Sequence, residues 1–159
     1  MPQIRFTSDL HLRHLGPLPI LIPFLERIGL RPIVDSHVED RRRARRTPGQ
    51  VLCALVLNRL LSPRALYTVE DWARQAAIPE AIGLHPEDLT DDTILRTLDA
   101  LFPALESIQG SLTWQVLEEF QLDVAFIHWD LTSFFFEGHF DDQQQDPAAP
   151  RINYGKPKD

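Results

Sequence analysis

Cysteine, methionine and tyrosine are nearly absent from the 159 residues: one Cys, one Met and two Tyr. The single cysteine, Cys53, excludes a disulfide framework and any zinc site built on a cysteine cluster. Long apolar runs are missing too. The longest, Leu18–Leu25 and Val51–Leu57, fall far short of the roughly 18–20 residues that cross a bilayer. The start of the chain, MPQIRFTSDLHLRHLG, has no apolar core of the kind that directs secretion. What is present is an apolar fraction of 43%, too high for a disordered polymer, in a length that suits one domain or two small ones. The expectation is a soluble cytoplasmic protein with no membrane partner.

Charge is unevenly spread. Residues 1–75 carry twelve arginines against seven carboxylates, a net +5. Residues 76–159 carry four basic residues against sixteen acids, a net −12, and the whole chain is at −7. Such a split favours anion binding by the first half. The overall acidity, with a pI near 5.3, excludes nucleic-acid binding over the whole surface and leaves room for a local basic patch.

The first half reads as helical. Gly16-Pro17 opens a segment over Leu18–Leu30, with Ile20, Leu21, Phe24, Leu25 and Ile28 on one face. Gly29 and Pro32 are expected to close it, and a polar loop follows. Thr47-Pro48-Gly49-Gln50 has the form of a capping box. The helix it starts, 48–61, is apolar nearly all round and is expected at the centre of the core. Ser62-Pro63 ends it. A shorter helix over 66–76 and a connecting helix bracketed by Ile78-Pro79 and Leu84-His85-Pro86 come next. Thr90 then caps a helix whose first turn holds Asp91 and Asp92 and whose stripe is Ile94, Leu95, Leu98, Leu101 and Phe102. Pro103 interrupts the chain. A last helix runs to about Gln121, with Leu105, Ile108, Leu112, Val116, Leu117 and Phe120 inward and Gly110 weakening its continuity.

At Asp123 the periodicity changes. Val124–Trp129 and Phe134–Phe136 are β-prone runs, and Ile152-Asn153-Tyr154-Gly155 has the makings of a third. A lone hairpin is marginal in water. The expectation is therefore a mainly α chain: a helical domain over 10–121, followed at 122–159 by an incomplete β-hairpin that opens a sheet whose other strands are absent.

Two groups of residues have chemical potential. Asp130 follows a run of strand-forming residues, where a carboxylate is costly unless it ends the sheet or binds something such as Mg²⁺; alternatively it begins a turn with Thr132 or Ser133. Arg41, Arg42, Arg43, Arg45 and Arg46 put five guanidiniums within six residues beside a helix start, a phosphate-binding pattern; the plainer reading is a solvated loop pairing with Glu39 and Asp40. Helices 48–61 and 66–76, with Ser62-Pro63-Arg64 between them, are a candidate helix-turn-helix, in which helix 48–61 is expected to be too buried to read DNA and Arg59, Arg64 and Arg74 are flanking contacts. The histidines read as packed or surface residues: His11 and His14 lack a third ligand, His37 and His85 fall in loops, and His128 and His139 flank Asp130.

Several segments resemble insertion-sequence transposases of the DDE type, whose catalytic core is RNase H-like. His128-Trp129-Asp130-Leu131-Thr132-Ser133-Phe134 with Phe136-Glu137-Gly138 is similar to the segment bearing that family's first acidic residue. Asp91–Phe102 resembles its helix preceding the core. Leu15–Ile20 and Thr47–Leu61 resemble parts of its helical N-terminal domain. Ile152-Asn153-Tyr154-Gly155-Lys156-Pro157-Lys158-Asp159 is similar to a stretch after the second strand, with Pro157 where serine is usual. The resemblance covers about residues 10–159.

It implies transposon-end DNA as partner and Asp130 as a catalytic, metal-binding residue. In the family, an Asp, an Asp and a Glu hold two Mg²⁺ or Mn²⁺ ions for phosphoryl transfer. Only the first acid has a counterpart here. The expectation is thus an N-terminal transposase fragment, nucleoid-associated in a prokaryote, that binds DNA through Arg41, Arg42, Arg43, Arg45, Arg46 and Arg64. It is expected to hold no metal stably and to be inactive in catalysis alone. Alternatives are a truncated regulator that co-assembles with a full-length transposase or itself, and a helical protein–protein module.

Overall fold

The computed structural model describes residues 12–38 and 46–123. The chain divides after Asp123 into two units, and every described residue belongs to the first. Among the described residues the architecture is helical: α1 Leu18–Arg27, α2 Leu30–His37, α3 Pro48–Leu61, α4 Val69–Gln75, α5 Ile78–Ile82, α6 Asp91–Leu101 and α7 Leu105–Phe120. Short 3₁₀ turns at Leu66–Thr68, Pro86–Asp88 and Phe102–Ala104 link them. The expected β-hairpin and the start of an RNase H-like core fall at residues outside the described part.

α3 organises the unit. Its capping box forms as expected: the Thr47 hydroxyl accepts from the Gln50 backbone N–H at 3.2 Å, and Gln50 Oε1 accepts from the Thr47 N–H at 3.0 Å. Two buried clusters meet on it. Val51, Ala54, Leu55 and Leu57 join Leu18, Val69, Ala73, Ile78, Leu84, Leu89 and Ile94 in one. Cys53 joins Leu30, Val34, Val38, Leu101 and Ile108 in the other. A helix that serves two cores has no long face left for water, which is why its sequence shows no polar stripe; its exposed residues are in the last turn, Arg59 and Leu60. Each fully buried Leu, Ile or Val contributes roughly 1.5–3 kcal/mol of transfer free energy.

Three expectations need correction. Residues 30–37 form α2, where a loop was expected. Gly29 takes a left-handed conformation (φ 65°) and turns the chain between two helices. Pro32 lies in the first turn of α2, where a missing N–H breaks no helical bond. Leu30, Val34 and Val38, spaced four apart, are all buried. His37 consequently ends a helix, and its Nε2 lies 2.8 Å from the Ser111 hydroxyl.

The inward faces of α1 and α6 also differ from expectation. In α1, Leu18 is buried and Leu21, Ile22 and Leu25 pack against the core, while Ile20 and Phe24 are exposed. In α6, Ile94 and Leu101 are buried with Thr93 and Thr97, while Leu95 and Phe102 are exposed. The hydroxyls let the threonines go inside: Thr97 Oγ1 donates to the Thr93 carbonyl at 2.8 Å. α7 runs through Gly110 as expected, with Ile108 buried and, against expectation, Leu105 exposed. It fastens along one side to α1 and α2, where the Phe120 ring stacks on Phe24 at 5.5 Å and lies 4.7 Å under the Arg27 guanidinium carbon. The chain before α1 is tied to the end of α4 by a single backbone bridge, His14 N to Gln75 O at 2.7 Å and Ala77 N to His14 O at 3.1 Å.

Candidate nucleic-acid interface

Of the residues singled out for DNA or metal, Asp130, Arg41, Arg42, Arg43 and Arg45 lie outside the described part. Arg46 and Arg64 are described, and they differ. Arg46 is turned inward: one terminal nitrogen donates to Asp88 Oδ1 at 3.4 Å and the other to Thr93 Oγ1 at 2.9 Å. Asp88 Oδ2 accepts from the His85 backbone N–H at 3.3 Å, and the Thr93 hydroxyl sits 2.9 Å from that of Thr90, the cap of α6. The last arginine of the run is therefore a bolt, fixing the chain between α3 and the start of α6.

The start of α3 is self-sufficient. Pro48 has no N–H, the Gly49 N–H donates to Asp35 Oδ1 at 2.7 Å, and the Gln50 N–H goes to Thr47. With these donors taken, phosphate binding beside α3 rests on guanidiniums and not on the helix end. Asp35 also faces Arg31 Nε at 3.6 Å.

The carboxylate partners of the described arginines sort them sharply. Arg13 pairs with Glu80, Arg27 with Glu119 at 2.9 Å, Arg31 with Asp35, Arg46 with Asp88, and Arg96 with Asp92 at 3.0 Å. The Arg13 hydrogen bond holds the Glu80 carboxyl below the usual carboxylate range. Arg74 is gripped by Glu70 and by Glu87 at 3.1 Å, and the Glu70 hydrogen bond raises its pKa further. Among the described residues only Arg59 and Arg64 lack a carboxylate partner, and both are exposed.

These two lie at the corner between α3 and α4, a corner fixed from inside by Asn58. Its side chain is wholly buried, with Nδ2 donating to the Ser62 carbonyl at 3.1 Å and Oδ1 accepting from the Arg64 N–H at 3.3 Å. Arg64 Nε donates to the Ser62 hydroxyl at 3.3 Å, leaving its terminal nitrogens outward-available for a further acceptor. Sequence reasoning passed over Asn58; the signal was an amide inside an otherwise apolar helix.

Elsewhere, a cleft of about 520 Å³ opens among α1, α2, α3 and α5, lined by Ile22, Leu25, Arg31, Gln50, Cys53 and Ile82. Burial pushes the Cys53 thiol up to about 11, so at neutral pH it is a protonated, weakly nucleophilic wall of that cleft. No group of three or more His, Cys, Asp or Glu side chains among the described residues is arranged to hold a metal ion. No helix among them is long and apolar enough to cross a membrane.

A family profile described as a domain of unknown function, DUF4277, matches residues 10–107. No curated protein matches, and no solved structure does.

Proposed function

We propose, for a chain that belongs to the DUF4277 family, that its helical unit is a DNA-contacting module of a DDE-type insertion-sequence transposase. The reading is carried by one observation: a run of five arginines enters the folded unit at Arg46, which is bolted to Asp88 and Thr93 at the head of α3 and α6. Five arginines within six residues are a phosphate-binding pattern in sequence, and the last of them, Arg46, is anchored to the folded unit.

Two further lines support it. The five segments that resemble the transposase family occur in the family's order. The family match over 10–107 falls within the helical part and stops before Asp130. Asp130 is the counterpart of the first acid of the transposase set, and the DNA-contacting reading concerns the helical unit that precedes it. If Asp130 takes part in metal chemistry, its partners are two more carboxylates beyond those found here, holding Mg²⁺ or Mn²⁺.

The test is a fluorescence-anisotropy titration of the whole chain with a short mixed-sequence DNA duplex at several salt concentrations. Each phosphate contact adds about −0.9 to the slope of log K against log salt. Replacing Arg41, Arg42, Arg43 and Arg45 with Gln is expected to flatten that slope by up to about 3.6. An affinity indifferent to salt and to these substitutions defeats the reading.

A further inference from the structure

We propose that the corner between α3 and α4 is a second contact with duplex DNA, in which Arg59 and Arg64 bind backbone phosphates. The inference rests on the DNA-contacting reading above and adds a place on the fold distinct from the arginine run.

The argument starts from what each guanidinium would give up. Six of the eight described arginines are paired with carboxylates. Recruiting any of them to a phosphate breaks an existing pair and leaves an acid facing the polyanion. Arg59 and Arg64 face no such exchange. In a chain of net charge −7, general attraction to DNA is absent, so binding depends on local sites free of acids.

Preorganisation is the second element. Long exposed arginines on a mobile loop lose backbone freedom when they bind. Here the loop is already set: the buried Asn58 amide bonds both sides of Pro63, at Ser62 and Arg64. Arg59 sits on the last turn of α3, directly after that amide.

Geometry gives the third. α3 has 14 residues, so it is about 21 Å long at 1.5 Å per residue. Arg46 adjoins one end and Arg59 the other. On B-DNA that length spans about six base pairs at 3.4 Å each. Arg46 itself is held by Asp88 and Thr93, so the contact at its end belongs to the arginines that precede it in the run; contacts at both ends of one rigid helix orient it on the duplex. Phosphate contacts of this kind set orientation and register without reading bases.

The experiment uses the whole chain, a mixed-sequence duplex and anisotropy across a salt series, with thermal melts confirming that each variant is folded. The corner variant is Arg59→Gln with Arg64→Gln. Loss of two phosphate contacts is expected to reduce the salt slope by about 1.8, a loss in affinity of about 30-fold at roughly 0.15 M salt. A control, Arg13→Gln with Arg96→Gln, removes the same charge from paired arginines and is expected to leave the slope unchanged. If the control loses as much, the effect is bulk charge and the inference is overturned. If the run variant binds more weakly while the corner variant binds as the unaltered chain does, the inference fails and the proposed function stands. If the unaltered chain shows no salt-dependent binding, both fail.

Discussion

At Gly49 the missing side chain is a packing requirement. A Cβ there would lie 2.6 Å from the Arg31 carbonyl oxygen and 2.7 Å from Asp35 Oδ1, closer than any real contact of that kind. The neighbours are backbone and a hydrogen-bonded carboxylate, so neither has an easy retreat. Gly49→Ala is expected to destabilise the fold by about 3 kcal/mol, read as a lower urea midpoint at unchanged slope. Cys53 gives a pH prediction. Its folded pKa of about 11 exceeds the ordinary 9.0, so the unfolded chain loses that proton first as pH rises. Its contribution to stability is complete below about pH 9 and is lost as pH climbs through about 11, roughly 2–3 kcal/mol in all. Comparing Cys53→Ala with the unaltered chain over that range isolates the effect: the difference between them should shrink or reverse above pH 9, and a constant gap counts against it. The thiol's burial follows from the apolar helix that carries it, whereas Gly49's role is not written in the residue itself, because it depends on how closely α2 crosses α3.

Among the elements, the helix starts were readable because their determinants are local. Thr47 with Gln50, and Thr90 with Thr93, make their cap bonds within three residues. α2 was hidden because Gly29 and Pro32 are ordinary helix stops, and here they act as a turn and a first-turn residue of the next helix. The exposed Leu95 and Phe102 were misread for a related reason: apolar spacing names two adjoining stripes on α6, and only the packed neighbours decide which one turns inward. Gly110 weakens α7 by backbone entropy alone, since a Cβ there meets nothing within 4 Å. Gly110→Ala is expected to stabilise the fold by about 0.5–1 kcal/mol, seen as a raised melting temperature with the same helical circular dichroism. A decrease would mean that this stretch of α7 is covered by something else.

For the molecule as a whole, the arginine run was visible in the sequence while the pairing of its members was not. Arg46 meets Asp88 and Thr93 across 42 and 47 residues, and Arg27 meets Glu119 across 92. Charge counting placed the positive excess in the first half; only the folded arrangement separates, among the described residues, arginines already matched to acids from the two that are not. The helical content expected over 10–121 agrees with the described residues of that stretch, whereas the RNase H-like core belongs to the proposed function. The double burial of α3 has a kinetic consequence. A helix packed on a single core can peel away while the remainder holds, and its amides then trade protons with solvent through small openings. α3 has no such route, because detaching it dismantles both clusters together. The N–H groups of residues 53–57 should therefore be the last to take up deuterium, at a rate set by unfolding of the entire unit, with added denaturant accelerating them in step with global stability.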